Sequence, residues 1–122
     1  MSLNPDSTNI PYTLGRLFSV LEAIQSSANP GINATIKDRY FNSASATPSR
    51  VFPALINLAQ KHLRKLDKGW SISYGKQLTE LTEKLEEAFP DRLSLPQQGA
   101  FQLGYYHQTQ ARYAKKEEAE HV

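Results

Sequence analysis

A chain of 122 residues with no Cys, one Met and one Trp is long enough to bury a core of its own, and its length suits one domain. The lack of Cys excludes a disulfide scaffold, a Cys-ligated zinc site and thiol chemistry. With 39% hydrophobic and 21% charged residues the composition is globular, and the net charge of +2 hides a division along the chain. Residues 1–76 carry nine basic and four acidic side chains, residues 77–122 five and eight, a first pointer to a charged partner. No apolar run approaches membrane-spanning length. Met1–Asp6 offers neither a basic nor an apolar segment of a signal peptide. A cytoplasmic location is expected, which the lack of Cys also fits.

Residues 1–10 are polar and read as a flexible N-terminal arm. Pro11 suits the first position of a helix, and Leu14, Leu17, Phe18, Leu21, Ile24 and Ala28 give it one buried face. Asn29-Pro30-Gly31 stops it. Asn33 can cap a short second helix through Ile36–Phe41. The small polar run 42–47 then reads as a loop.

The third helix starts at Pro48 or at Pro53, since an internal proline removes a hydrogen bond and clashes one turn back. It runs to Leu66, with Leu55, Ala59, Leu63 and Leu66 on one face. Asp67–Trp70 is a turn, and Ser71 or Ser73 caps a fourth helix. Tyr74, Leu78, Leu81, Leu85 and Ala88 or Phe89 form its buried stripe, and Glu80, Glu83, Glu86 and Glu87 its wet face. Pro90 ends it. Ser94 and Gln97 form a capping box for a fifth helix from Leu95 to about Lys116. Gly99 and Gly104 within it predict close packing on a neighbour. No segment alternates with the period of a strand. The fold class is therefore all-α, a compact bundle of four to five helices. Its single domain spans 11–116 and a frayed charged tail spans 117–122.

Catalytic and metal-binding constellations are not found. His62, His107 and His121 lack metal-ligand spacing. His62 sits at the edge of an apolar face, where a structural role is the plain reading. The paired carboxylates of helix four lie opposite the leucines, where solvent is the plain reading. With no phosphate loop and no nucleophile elbow, neither an enzyme nor a cofactor or metal site is expected, nor a membrane or a small-molecule substrate as partner.

The basic residues are more informative. Lys61, Arg64, Lys65 and Lys68 are spaced 0, 3, 4 and 7 and predict one continuous stripe. Arg50 extends it if the helix starts early, because eleven residues make almost three whole turns. A rigid row of cations can track a row of phosphates. Arg112, Lys115 and Lys116 form a second stripe, continued upstream by Gln108 and Tyr105, and an aromatic and an amide among cations suit a nucleic-acid backbone. Packing between helices is the plainer reading for at least two of Tyr105, Tyr106 and Tyr113. In Lys37-Asp38-Arg39 the acid offsets a neighbouring cation, and Arg39 meets phosphate or pins the following loop.

Three runs carry a family resemblance: Pro30–Pro53, Pro11–Phe18 and Gly99–Gln108. Together they resemble the C-terminal region of the large subunit of type I-C CRISPR Cascade, over about residues 11–111. In that family this region is also made as a separate small subunit by internal translation. A free chain opening with Met1 resembles that product, as would an excised fragment.

The resemblance implies a helical, non-enzymatic subunit of a crRNA-guided complex. Its partners would be the Cascade backbone and large subunits, further copies of itself, the crRNA, and the target and non-target DNA strands. It would brace the heteroduplex and the displaced strand through backbone contacts, while base pairing reads sequence. Arg39 and Arg50, with Lys37, fall within the longest matching run. Lys61, Arg64, Lys65, Lys68, Arg112, Lys115 and Lys116 rest on helical faces instead. The alternatives are a purely structural subunit whose basic faces meet acidic protein, or an unrelated helical adaptor.

Overall fold

The structure, a computed structural model, describes residues 2–86 and 88–120, with side chains described as far as 115. Helix α1 (Ile10–Ala28) is its centre. Asn9 caps it by accepting the Tyr12 N–H at 2.9 Å. Around it lie α2 (Ile36–Ala46), α3 (Pro48–Leu63), α4 (Lys68–Lys84) and α5 (Leu95–Glu120). The described residues thus form five helices and no strand, as the periodicity predicts.

One buried face is not enough to describe α1. From Pro11 to Gln25 every side chain but Glu22 is buried, including Thr13, Arg16, Ser19 and Gln25. The helix touches all four others, so it has no solvent side. Its apolar residues meet a cluster of rings centred on Phe18. Phe41, Phe101, Tyr105 and Phe52 lie 5.4 to 6.3 Å from it, edge to face, the arrangement that ring quadrupoles favour.

Its polar residues need partners inside the protein, since burial without them costs about 1–3 kcal/mol each. Gln25 Oε1 accepts the Ile36 N–H at 2.9 Å, which also satisfies the start of α2. Most of the remaining partners come from α5.

Helices α1 and α5 approach backbone to backbone. A Cβ on Gly104 would stand 2.0 Å from the Tyr12 carbonyl oxygen, and one on Gly15 would stand 1.9 Å from that of Phe101. Gly104 thus has the close-packing role expected of it. Gly99 does not: it is exposed and a Cβ there would meet nothing within 4 Å.

Several boundaries differ from the sequence reading. Thr35, not Asn33, caps α2, in a capping box with Asp38. Asp38 is thereby spent on the helix start rather than on a neighbouring cation. Residues 42–46, expected as a loop, continue α2, because Ala44 and Ser45 are buried and the Ser45 hydroxyl donates to the Asn42 carbonyl. Helix α3 takes the early start at Pro48 and keeps Pro53 inside it, where the proline is exposed. It ends at Leu63 with Arg64 as C-cap, three residues short of the expectation.

Helix α4 begins at once, with Asp67 at the N-cap position and no side-chain cap, so Lys68, Gly69 and Trp70 are its first turn rather than a connecting turn before a cap at Ser71 or Ser73. It ends at Lys84, well before Pro90, because Glu86 adopts a left-handed φ of 54°. That conformation normally falls to glycine. Glu86→Gly is therefore expected to stabilise the chain by about 0.5–1 kcal/mol, raising the melting midpoint by about 3 °C, as a thermal scan of both proteins will show. Beyond the turn, Phe89 stacks on Phe52 at 5.5 Å. The Leu93 N–H donates to Ala46 and the Ser49 N–H to Pro90, so this connection fastens the α2–α3 junction. Ser94 and Gln97 form the expected capping box of α5.

The N-terminal arm is hydrogen-bonded to the bundle. The Asn4 N–H donates to the Tyr12 hydroxyl at 3.1 Å, and Arg16 Nη1 reaches the Pro5 carbonyl at 3.5 Å. Helix α5 is helical to Glu120, beyond the expected end at Lys116. The side chain of Lys116, residue Glu87, and His121 with the end of the tail lie outside the described residues.

Candidate nucleic-acid interface

The four cations from Lys61 to Lys68 do not share one helix. Lys61 is in the last turn of α3, Arg64 and Lys65 occupy the turn after it, and Lys68 opens α4. The regular 0, 3, 4, 7 stripe is therefore replaced by a basic corner. All four side chains are exposed, with Asp67 the one acid among them. The early start of α3 does place Arg50 on the same face as Lys61, about 16 Å along the axis, and Arg50 is also exposed. Lys61 has a structural use as well, since a cation near a helix C-terminus complements its dipole.

His62 lies beneath this corner. Asn29 Nδ2 donates to its Nδ1 at 3.1 Å, joining the end of α1 to the end of α3. Its Nε2 is buried without a partner in the described structure. Burial, and secondarily the charge of Lys65, holds its pKa below the usual histidine value. The unfolded chain thus binds a proton more readily than the folded one. The contribution of His62 to stability is then constant with pH above about 6.5 and falls as pH drops from there through the lower folded value. Denaturant titrations at a series of pH values should show this loss, and His62→Gln should reduce it.

The second stripe is largely turned inward. Tyr105 is buried and its hydroxyl donates to Glu22 Oε1 at 2.5 Å. Burial and this acceptor push the phenol pKa well up, so it stays a donor. Gln108 Oε1 accepts from Arg16 Nε at 2.9 Å. Arg112 Nη1 donates to the Ser19 carbonyl and hydroxyl at 3.3 and 3.2 Å, with its guanidinium 5.6 Å from the Tyr113 ring. Tyr105 and Gln108 are thus correctly placed on one face, but α1 claims that face for its buried polar groups. Of the three tyrosines only Tyr105 packs between helices, since Tyr106 and Tyr113 are 61% and 57% exposed. Lys115 is exposed.

Lys37 and Arg39 are exposed on α2, and two residues of helix set them on opposite sides. Lys37 Nζ lies 5.2 Å from the centre of the Tyr105 ring, a cation–π contact that ties α2 to α5.

Arg16 escaped the sequence reading, which weighed His107 only as a metal ligand. Arg16 is 5% exposed, and desolvation lowers its pKa, with Glu80 and Tyr12 opposing. The Tyr12 hydroxyl, which accepts from Asn4, is hydrogen-bonded to His107 Nδ1 at 2.8 Å. The one signal for Arg16 is its place within an otherwise apolar helical run. Nothing in a linear pattern reveals that all sides of that helix are covered.

The corner is thus a solvent-exposed set of cations on two helix ends, the chemistry that meets an anionic polymer. A family model described as CRISPR-associated protein (Cas_Csd1) matches residues 1–113. The chain belongs to the Cas_Csd1 family. The match takes in the basic corner, both halves of the α1–α5 seam and Arg112. A search of curated proteins finds no match. Membership of Cas_Csd1 gives a CRISPR-associated protein, and with it partners among CRISPR-associated components. No helix among the described residues is long and apolar enough to cross a membrane.

Proposed function

We propose that this chain is the non-catalytic small subunit of a type I-C Cascade surveillance complex. In this reading it braces the crRNA–target heteroduplex and the displaced strand through backbone contacts, in the cytoplasm, as part of antiviral defence. The observation that carries it is the basic corner. Lys61, Arg64, Lys65 and Lys68 are exposed together, with Arg50 on the same face of α3. Membership of a CRISPR-associated family and the resemblance of the 30–53 run favour the same reading. Lys37, Arg39, Arg112, Lys115 and Lys116 are secondary contacts in it, and Arg112 reaches a phosphate only by leaving Ser19.

Phosphate contacts release counterions, so their contribution shrinks as salt rises. The test compares assembled complexes with and without this chain on duplex target DNA at two salt concentrations. The chain is expected to raise affinity, and the gain to shrink at the higher salt. An unchanged affinity at both salts sinks the backbone reading.

One observation favours a second reading, a structural subunit held by protein contacts alone. From Leu93 to Ala111 the sequence holds no charged residue, and Leu95, Leu103 and Tyr106 on α5 are exposed. An uncharged surface with apolar side chains suits a protein partner. That reading predicts complexes that fall apart without the chain, while any intact complex binds DNA with full affinity.

A further inference from the structure

Trp70 stands out among the exposed side chains. An indole offers a fold one of its largest apolar areas to bury, yet Trp70 is 61% exposed in the first turn of α4. Its ring stacks on Tyr74, with centroids 6.0 Å apart and planes 27° from parallel. Tyr74 is buried, and its hydroxyl lies 3.1 Å from Ser27 Oγ at the end of α1. The indole is thus backed by a fixed ring and open to solvent elsewhere. It also lines a shallow cleft of about 390 Å³ with Ser27, Lys65, Leu66 and Asp67. Lys65, which lines the cleft, and Arg64 are in the turn before the helix, whereas Lys68, two residues from Trp70 in the helix, falls on its other side.

A flat aromatic surface beside several cations matches an unpaired nucleotide. The base stacks on the ring while an adjacent phosphate meets the lysine ammonium. A base inside a duplex has both faces covered and gains nothing from the indole. An acidic peptide matches the cations but leaves the aromatic plane unused.

We propose that Trp70 is a stacking site for an unpaired nucleobase, with Lys65 holding a flanking phosphate. This rests on the nucleic-acid reading above and adds to it a preference for single strands at this corner.

The chain has one tryptophan, so its intrinsic fluorescence reports Trp70 alone. The full chain is titrated at low ionic strength with an oligothymidylate and with an abasic strand of equal length. The two carry the same phosphates and differ only in bases. Protein concentrations are taken high enough to detect millimolar binding. Oligothymidylate should quench the emission and bind about tenfold more tightly than the abasic strand. Trp70→Ala should bring it down to the abasic level, as measured by anisotropy of a labelled strand, while Trp70→Tyr keeps most of the difference. Circular dichroism checks that both variants fold, as their exposure predicts.

If both strands bind alike and Trp70→Ala changes neither, the stacking site is overturned and the backbone reading stands. If neither strand binds, both fall. If neither strand binds but a polyglutamate peptide shifts the emission, the corner is a dock for acidic protein.

Discussion

Gly104→Ala is expected to destabilise the chain by roughly 3 kcal/mol, while Gly99→Ala, five residues earlier in the same helix, gains up to about 1 kcal/mol. Both substitutions remove a helix-interior glycine, so both gain the same propensity. They differ in what the new methyl group meets. At Gly104 it would fall 2.0 Å from the Tyr12 carbonyl oxygen, and at Gly99 it meets nothing within 4 Å. A backbone carbonyl inside a helix cannot swing aside as a side chain can, so α1 and α5 must separate. That separation stretches the Arg16–Gln108, Ser19–Thr109 and Tyr105–Glu22 hydrogen bonds together. Each leaves a polar group of the central helix unsatisfied. Gly15→Ala should behave as Gly104→Ala does, because its methyl would meet the Phe101 carbonyl at 1.9 Å. Denaturant unfolding of the three single variants decides the matter. Equal stability of Gly104→Ala and the parent would show that the two backbones are not in contact.

Replacing Lys61, Arg64 and Lys65 together by alanine should weaken DNA binding by the assembled complex about 10- to 100-fold at low salt. It should also flatten the dependence of log affinity on log salt by about two to three units, since each lost phosphate contact removes about 0.7–0.9. The fold should survive. All three side chains are exposed, and the lost dipole complement at the end of α3 is worth under about 1 kcal/mol. Two measurements on the same protein separate the competing roles. Weaker and less salt-sensitive binding by a fully assembled complex is the result for phosphate contacts. Poor incorporation of a folded subunit is the result for acidic protein contacts.

The sequence alone determined the helix content and most of the core. Leucines and phenylalanines recurring every three or four residues can bury themselves only on helices, so Leu14, Phe18, Leu55, Leu78 and Leu81 were legible as core residues. The capping box at Ser94 and Gln97 was equally legible, because it is closed within four residues. The basic corner was visible as a run of cations, though not its geometry. The turn between α3 and α4 breaks the helical spacing, and no local signal gives that turn its length.

Tertiary structure decided what each helical face does. Residues 42–46 look like a loop by composition, yet they are helical, with Ala44 and Ser45 buried in the bundle. Gly99 and Gly104 have the same propensity, and only the position of α1 makes one of them necessary. Tyr105, Gln108 and Arg112 read as one polar stripe, and only the burial of α1 on every side turns that stripe inward. Periodicity tells which residues share a face. Which face meets solvent depends on how many neighbours the helix has, and that is fixed by contacts far apart in the chain.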